Sequence, residues 1–108
     1  MGFLNQIGSM FTRSGREEAL LDQAMEHAKN KRPEKALEIY ESMLKTRSLS
    51  SSLRARVLFN RALVHSALKN DDQAVADLEA VLKLPDVPDN VQTAAKERLT
   101  RLRKRSEH

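Results

Sequence analysis

The chain has 108 residues, no cysteine and a formal net charge of +4 at pH 7. This length suits one domain with a single small core, and the lack of cysteine excludes a disulfide framework and thiolate metal or redox chemistry. The sequence has no apolar run of about 18 residues and no secretory signal pattern, so we expect neither a membrane-spanning helix nor secretion.

The first 14 residues form a short segment with one apolar face. Its large apolar side chains follow the spacing i, i+1, i+4, i+7, i+8 of a helix face, here called the N-terminal docking face: Phe3, Leu4, Ile7, Met10 and Phe11. About three turns with Gly8 in the middle cannot form a stable helix alone in water. The segment therefore has to dock on another surface. The alternatives are a binding groove of the same chain or of another copy, a different protein, and a membrane surface.

Two helices are predicted next. Ser14 and Glu17 have the spacing of a capping box, which predicts a helix over about 15–30. Pro33 suits the first turn of a second helix, predicted over about 33–46, because its missing N–H costs nothing there. The short connection between them requires two antiparallel neighbours.

A second helix pair follows after a serine-rich stretch. Residues 48–52 supply several candidate N-caps for a third helix over about 52–69. Asn70 and Gln73 again stand three apart and open a fourth helix, which ends before Pro85.

A fifth helix closes the pattern and carries the net charge. Asp89 and Gln92 have capping spacing, and the helix has an apolar stripe at Val91, Ala95, Leu99 and Leu102. Residues 96–108 hold six basic and two acidic side chains, so the charge of +4 lies there and the rest of the chain is neutral. We define the basic tail as Arg98, Arg101, Arg103, Lys104 and Arg105.

The chain repeats itself at an offset of 38 residues. This offset aligns identical residues, namely Leu20 with Leu58, Ala24 with Ala62, His27 with His65, Ala36 with Ala74, and Lys45 with Lys83. Internal repeats of this length are typical of helical binding modules, in which each unit buries its apolar face against the next.

Two helical hairpins followed by a lone, polar helix resemble two tetratricopeptide repeats and their capping helix. On this resemblance the chain divides into a segment 1–14 and a domain 15–106, with repeats at about 17–50 and 55–86 and a capping helix at about 89–106. The resemblance implies an all-α fold in which antiparallel helical hairpins form a right-handed superhelical array.

The chain matches the family pattern at the positions where the family has small or bulky side chains, but it departs from the pattern elsewhere. The small positions are Ala24, Ala62, Ala36 and Ala74, and the bulky ones are Tyr40 and Leu78. The period of 38 exceeds the family's 34, which extra residues in the loop 48–53 would explain. Leu20 and Leu58 replace the family's early aromatic residue, and His27 and His65 replace its tyrosine.

The resemblance further implies that the first helix of each hairpin lines a concave groove. The predicted groove residues are Glu18, Leu21, Asp22, Met25, Lys29, Arg56, Phe59, Asn60, Leu63 and Ser66. Related modules grip chaperone tails with asparagine and lysine, but Leu21 and Met25 stand where the first of these residues would be. The apolar centre better suits an apolar helix face or an extended peptide, with the flexible Met25 adapting its shape.

Enzymatic, metal and nucleic-acid roles find little support. His27 and His65 have no second ligand at i+4, so packed, hydrogen-bonded imidazoles are expected instead of metal ligands. Asp71 and Asp72 fall in the first turn of a helix, where negative charge offsets the macrodipole. No phosphate loop or nucleophile motif is present in the sequence. No aromatic residue interleaves with the basic tail, which favours a solvated end cap over nucleic-acid contact.

The sequence therefore predicts a cytoplasmic, non-catalytic protein–protein interaction module without cofactor or metal. It would act as an adaptor or scaffold that holds a peptide or helix of a partner and can self-associate through the N-terminal docking face. The alternative is a peripheral membrane recruitment factor anchored by the same amphipathic segment, which the scarcity of Lys and Arg before Arg13 weakens.

Overall fold

The computed structural model describes residues 13–107, which form five α-helices and, within that range, no strand. The helices are α1 (Arg13–Lys29), α2 (Pro33–Leu44), α3 (Ser51–Ala67), α4 (Asp71–Lys83) and α5 (Asp89–Ser106). The all-α prediction is confirmed. No helix in the described range is both long enough and apolar enough to cross a bilayer.

The turn from α1 to α2 is a Schellman motif. The amide of Arg32 donates to the carbonyl of His27 at 2.8 Å, and the amide of Lys31 donates to that of Ala28 at 3.2 Å. Lys31 adopts the left-handed conformation with φ of 61°. This geometry ends α1 and reverses the chain within three residues.

The same turn recurs 38 residues later, between α3 and α4. Lys69 has φ of 66°, and the amide of Asn70 donates to the carbonyl of His65 at 2.8 Å. Both turns thus place a lysine in the conformation that glycine usually occupies. The repeat seen in the sequence is therefore also a repeat of backbone geometry.

Helix starts follow the sequence signals only in part. Pro33 begins α2 as predicted. Ser50 caps α3, and its hydroxyl accepts a hydrogen bond from the amide of Leu53 at 3.1 Å. Ser14 lies inside α1, so the predicted capping role is wrong. Asp89 is the first residue of α5 and not its cap, because the preceding proline already supplies extended backbone.

The connection between the two hairpins is held by one arginine. The guanidinium of Arg54 donates to the carbonyl of Leu44 at 3.0 Å and to that of Thr46 at 2.8 Å. Leu44 is the last residue of α2 and Thr46 lies just beyond it, so neither carbonyl has a partner within the helix. The carbonyl of Thr46 also accepts a hydrogen bond from the amide of Leu49 at 3.2 Å. Arg54 therefore fixes the chain between the hairpins on α3.

Two clusters of buried apolar residues make up the core. The N-terminal cluster is Leu21, Ala24, Ala36, Tyr40, Met43, Leu49, Leu53, Val57 and Val64. The C-terminal cluster is Ala55, Leu58, Ala62, Ala74, Leu78, Val81, Val87, Ala95, Leu99 and Leu102. Only α3 supplies residues to both clusters among the described helices. The four alanines at the predicted small positions are buried, which lets the helices approach closely.

The helix contacts define an inner and an outer row. Each helix packs on the next in sequence, α1 also contacts α3, and α3 also contacts α5, whereas the backbones of α2 and α4 do not approach each other closely. The first helices of the hairpins therefore lie side by side in one row. The cleft described below opens between two of them.

Candidate partner-binding groove

An open cleft of about 510 Å³ lies between the C-terminal halves of α1 and α3. Its walls are mostly apolar, and the side chains that line it include Met25, Ala28, Tyr40, Leu63, Ala67 and Leu68. Hydrophobic lining with a few polar groups is typical of ligand and peptide sites, and this volume lies within their usual range. The cleft is therefore the candidate binding site.

Two large apolar side chains border the cleft and remain open to solvent. Met25 on α1 is 41% exposed and Leu68 at the end of α3 is 40% exposed. Leu20 is exposed to the same extent but borders a different surface recess, between α1 and α2. Single exposed apolar residues need no explanation, whereas two that border one apolar cleft indicate a contact surface.

Polar groups in the cleft come from Lys31, Tyr40 and Asn60. Burial raises the pKa of Tyr40 to about 12, so its hydroxyl stays protonated at neutral pH. This hydroxyl makes no hydrogen bond to another residue in the range 15–107. The amide nitrogen of Asn60 donates to the carbonyl of Arg56 at 2.8 Å, which fixes the orientation of its side chain. These groups can orient an occupant through hydrogen bonds.

The structure brings together some of the predicted groove residues. Met25, Asn60 and Leu63 line the cleft. Leu21 does not, because it is 0% exposed and belongs to the N-terminal cluster. The prediction that Leu21 lines a groove is therefore wrong. Phe59 is half-buried and packs against the C-terminal cluster.

The other predicted groove residues lie outside the cleft lining. They are Glu18, Asp22 and Lys29, which are exposed on α1, and Arg56 and Ser66, which are half-buried on α3. The N-terminal docking face (Phe3, Leu4, Ile7, Met10 and Phe11) lies outside the described residues.

Sequence reasoning missed the residues that close the cleft. The sequence pattern places Tyr40 at a packing position between helices and Ala28 on the apolar face of α1, and it gives Ala67 and Leu68 no role. The available signal is a stripe of apolar residues at helical spacing, Leu63, Val64, Ala67 and Leu68, that continues past the last residue of α3, since a helix end that is solvated on all sides would be polar.

A second recess, of about 170 Å³, lies on the other flank of α3, against α5. It is lined by Ser66 of α3 and by Arg98, Arg101, Leu102 and Arg105 of α5. Below it is called the arginine recess. Its arginines stand three and four residues apart, so they project from one face of the helix.

The basic tail is thus divided among several surroundings. Arg105 donates to the carboxylate of Asp71, through Nε at 3.1 Å, and these hydrogen bonds raise its pKa. Arg103 approaches Glu79 on α4 at 3.9 Å, on another side of α5. Lys104 is exposed and lines neither of these places.

A polar cluster lies on the outer side, in a recess of about 200 Å³ lined by α2, α3 and α4. Arg61 pairs with Asp77 there, and His65 lies beside them, 8% exposed. The Nδ1 atom of His65 is buried without a hydrogen-bond partner, so the expected hydrogen-bonded imidazole is not found at this nitrogen. Burial lowers the pKa of His65. The described residues contain no group of three side chains suited to a metal.

The second hairpin has a counterpart among known protein families. Residues 55–86 match the family model described as tetratricopeptide repeat. No curated protein and no solved structure matches the chain. The matched residues comprise most of α3, all of α4 and the turn after it.

Proposed function

Because the chain carries a tetratricopeptide repeat at residues 55–86, and such repeats act as protein–protein interaction modules, we propose that it is an adaptor that binds a partner in its cleft. The partner contributes a peptide or a helix with large apolar side chains. The adaptor itself carries out no chemical step, in keeping with the generally non-catalytic character of this repeat family.

The observation that carries this proposal is the open apolar cleft beside the matched repeat. Leu63, Ala67 and Leu68 belong to the matched residues and form its α3 wall. Burying one large apolar side chain is worth about 1.5 to 3 kcal/mol. Two such side chains entering the cleft, together with contacts at Met25, would support the moderate affinity expected of an adaptor.

The chain itself contains a segment of the required chemistry. The N-terminal docking face presents five large apolar side chains at helical spacing. We propose that this segment competes for the same cleft in a neighbouring copy, which would make self-association and partner binding alternatives.

The proposal is tested by selecting displayed random 12-residue peptides on the full chain and measuring the affinity of the selected peptides by fluorescence anisotropy. Met25→Glu places a charge on the cleft wall, and we expect it to weaken binding about tenfold or more, because an apolar contact is replaced by a carboxylate that must stay hydrated. Leu20→Glu is the matched control, since it is on the same helix and equally exposed but outside the cleft.

We expect the selected peptides to be rich in leucine, phenylalanine and isoleucine. The affinity of Leu20→Glu for them should lie within about twofold of the affinity of the unchanged chain. Circular dichroism of both variants shows whether each is folded. Equal affinity of all three proteins for the selected peptides would refute the cleft as the binding site.

A further inference from the structure

The cleft and the arginine recess lie on opposite flanks of the same helical turn of α3. Ala67 lines the cleft, on the side of α1, and its neighbour Ser66 lines the arginine recess, on the side of α5. Leu63, one turn earlier, is also in the cleft. A ligand that crosses α3 at this level therefore meets an apolar site and a basic site in succession.

The arginine recess has unneutralised charge. Arg105 is paired with Asp71, but Arg98 and Arg101 have no carboxylate partner among residues 13–107. Guanidinium groups bind carboxylates through two parallel hydrogen bonds, which gives such pairs both strength and directional preference. The hydroxyl of Ser66 lies 3.4 Å from a nitrogen of Arg105 and adds a further polar group to the recess.

We infer that the cleft and the arginine recess form one two-part site for an extended peptide that carries a large apolar residue and, three positions away, an aspartate or glutamate. This inference rests on the proposed function and specifies the chemistry of the partner. The apolar side chain enters the cleft, the backbone crosses α3, and the carboxylate meets Arg98 and Arg101.

The spacing follows from the dimensions of the helix that is crossed. Packed helices lie about 8 to 10 Å apart, so the two flanks of α3 are separated by roughly that distance. A polyproline-II peptide advances about 3.1 Å per residue and brings every third side chain to the same face. Residues three apart are therefore about 9 Å apart and point the same way. A helical peptide would need six or seven residues for the same distance, since it rises only about 1.5 Å per residue.

A peptide fits these two sites better than a nucleic acid does. Single-stranded nucleic acids bind through basic grooves combined with exposed aromatic side chains on which bases stack. In the described part of the chain, Tyr40 is the one aromatic residue that lines either site, and it is only 1% exposed. The cleft is mostly apolar, with Lys31 as the cationic residue among the described residues that line it. Neither site offers an open aromatic surface on which bases could stack, so an acidic peptide accounts for both sites together better than a nucleic acid does.

The test uses the full chain and the tightest peptide from the display selection. Its anchor residue is first identified as the apolar residue whose change to serine costs most affinity. Single glutamates are then placed one to six positions from the anchor on either side, and affinity is measured by anisotropy at low salt. We expect the peptide with glutamate three positions from the anchor to bind most tightly. Replacing that glutamate by glutamine should lower the affinity about five- to tenfold.

Charge reversal links the effect to the arginine recess. Each of Arg98→Glu and Arg101→Glu should lower the affinity for the glutamate peptide about five- to tenfold. When lysine replaces that glutamate in the peptide, both variants should bind the peptide more tightly than the unchanged chain does. Lys104→Glu is the matched control, because it makes the same charge change on an exposed residue of α5 outside the recess. It should alter affinity by less than about twofold, a long-range effect that salt removes.

The outcomes separate this inference from the proposed function. Dependence on Met25 without any dependence on glutamate position or on Arg98 and Arg101 overturns the inference and leaves the cleft proposal standing. Indifference to Met25 overturns both. If Arg101→Glu abolishes binding of a twelve-residue oligothymidylate but leaves the glutamate peptide unaffected, the recess serves nucleic acid and the inference is wrong.

Discussion

Arg61 on α3 and Asp77 on α4 form a two-point ion pair, with Nε 2.9 Å from Oδ2 and Nη2 2.7 Å from Oδ1. Asp77 is 5% exposed, so the pair lies largely out of water. An offset of 38 residues places Gln23 and Ile39 at the corresponding positions of the first hairpin. The ion pair is therefore a feature of the second hairpin, where it joins the two helices of the matched repeat.

We expect Asp77→Ala to lower the free energy of unfolding by about 2 to 4 kcal/mol, because it leaves the partly buried Arg61 without its partner. Urea denaturation measures the change. Glu79→Ala on the same helix removes an exposed pairing with Arg103 and should cost less than about 1 kcal/mol. The double change Arg61→Gln and Asp77→Ile copies the first hairpin and should recover most of the loss. Equal effects of Asp77→Ala and Glu79→Ala would show that the pair is not structurally important.

The buried imidazole of His65 should make stability depend on pH. Burial favours the neutral ring and lowers its pKa in the folded state, with Arg61 acting in the same direction and Asp77 and Glu41 opposing it. Below the ordinary value of 6.5 the unfolded chain binds a proton that the folded chain resists, so stability falls as the pH falls from 6.5 towards the lower folded pKa.

Urea denaturation at several pH values between about 7.5 and 5.5 tests this expectation, a range chosen to stay above the titration of ordinary carboxylates. His65→Gln should flatten the pH dependence in that range. His27→Gln, at the equivalent position of α1, controls for the removal of an imidazole. An unchanged slope in His65→Gln would assign the pH dependence to other groups.

Replacing lysine by glycine at either hairpin turn should stabilise the fold. Lys31 and Lys69 have φ of 61° and 66°, a region in which a β-carbon is unfavourable. Each of Lys31→Gly and Lys69→Gly is expected to stabilise the fold by about 0.5 to 1 kcal/mol in thermal denaturation. Lys45→Gly is the control, because Lys45 has ordinary right-handed backbone and gains nothing. Destabilisation by all three changes would contradict the argument.

Self-association through the N-terminal docking face predicts a molar mass that rises with concentration in light scattering. Ile7→Glu places a charge on that face and should give a monomer at every concentration, because a charged residue is costly to bury in an apolar cleft. Gln6→Glu is the control, because it adds the same negative charge at a position outside the N-terminal docking face. It should leave the association intact. A monomer in all three proteins would exclude self-association by this segment.

Much of the helical array was predictable because its signals are local. Pro33 and the spacing of apolar residues fix where α2 lies, and the repeat of 38 residues predicted two equivalent hairpins, whose turns both place a lysine at positive φ. The capping role of Ser14 was predicted wrongly, since three-residue spacing from an acidic residue also occurs inside helices. A cap is defined by where the backbone leaves the helix, which this spacing alone does not determine.

The candidate site was predictable only in part. Met25, Asn60 and Leu63 could be placed by analogy with the repeat family, but Leu21 could not be distinguished from them. All four lie on the first helices, and a rotation of about one residue decides which face meets the neighbouring helix. Tyr40 lines the cleft because of how three helices are placed relative to one another. The arginine recess exists because α5 packs against α3. Such arrangements depend on tertiary packing, which residue spacing in one chain does not specify.

The central position of α3 has a consequence for how recognition and stability are connected. It contacts all four other described helices, while the backbones of α2 and α4 do not approach each other closely, and it is the described helix with buried residues in both core clusters. If α1 and α2 open locally, α3, α4 and α5 keep a core cluster of their own, but the cleft loses the wall that Met25 provides. An occupant therefore binds only the closed arrangement, and its affinity is reduced by whatever fraction of molecules is open. Partner recognition and the local folding of the first hairpin are in this sense one equilibrium.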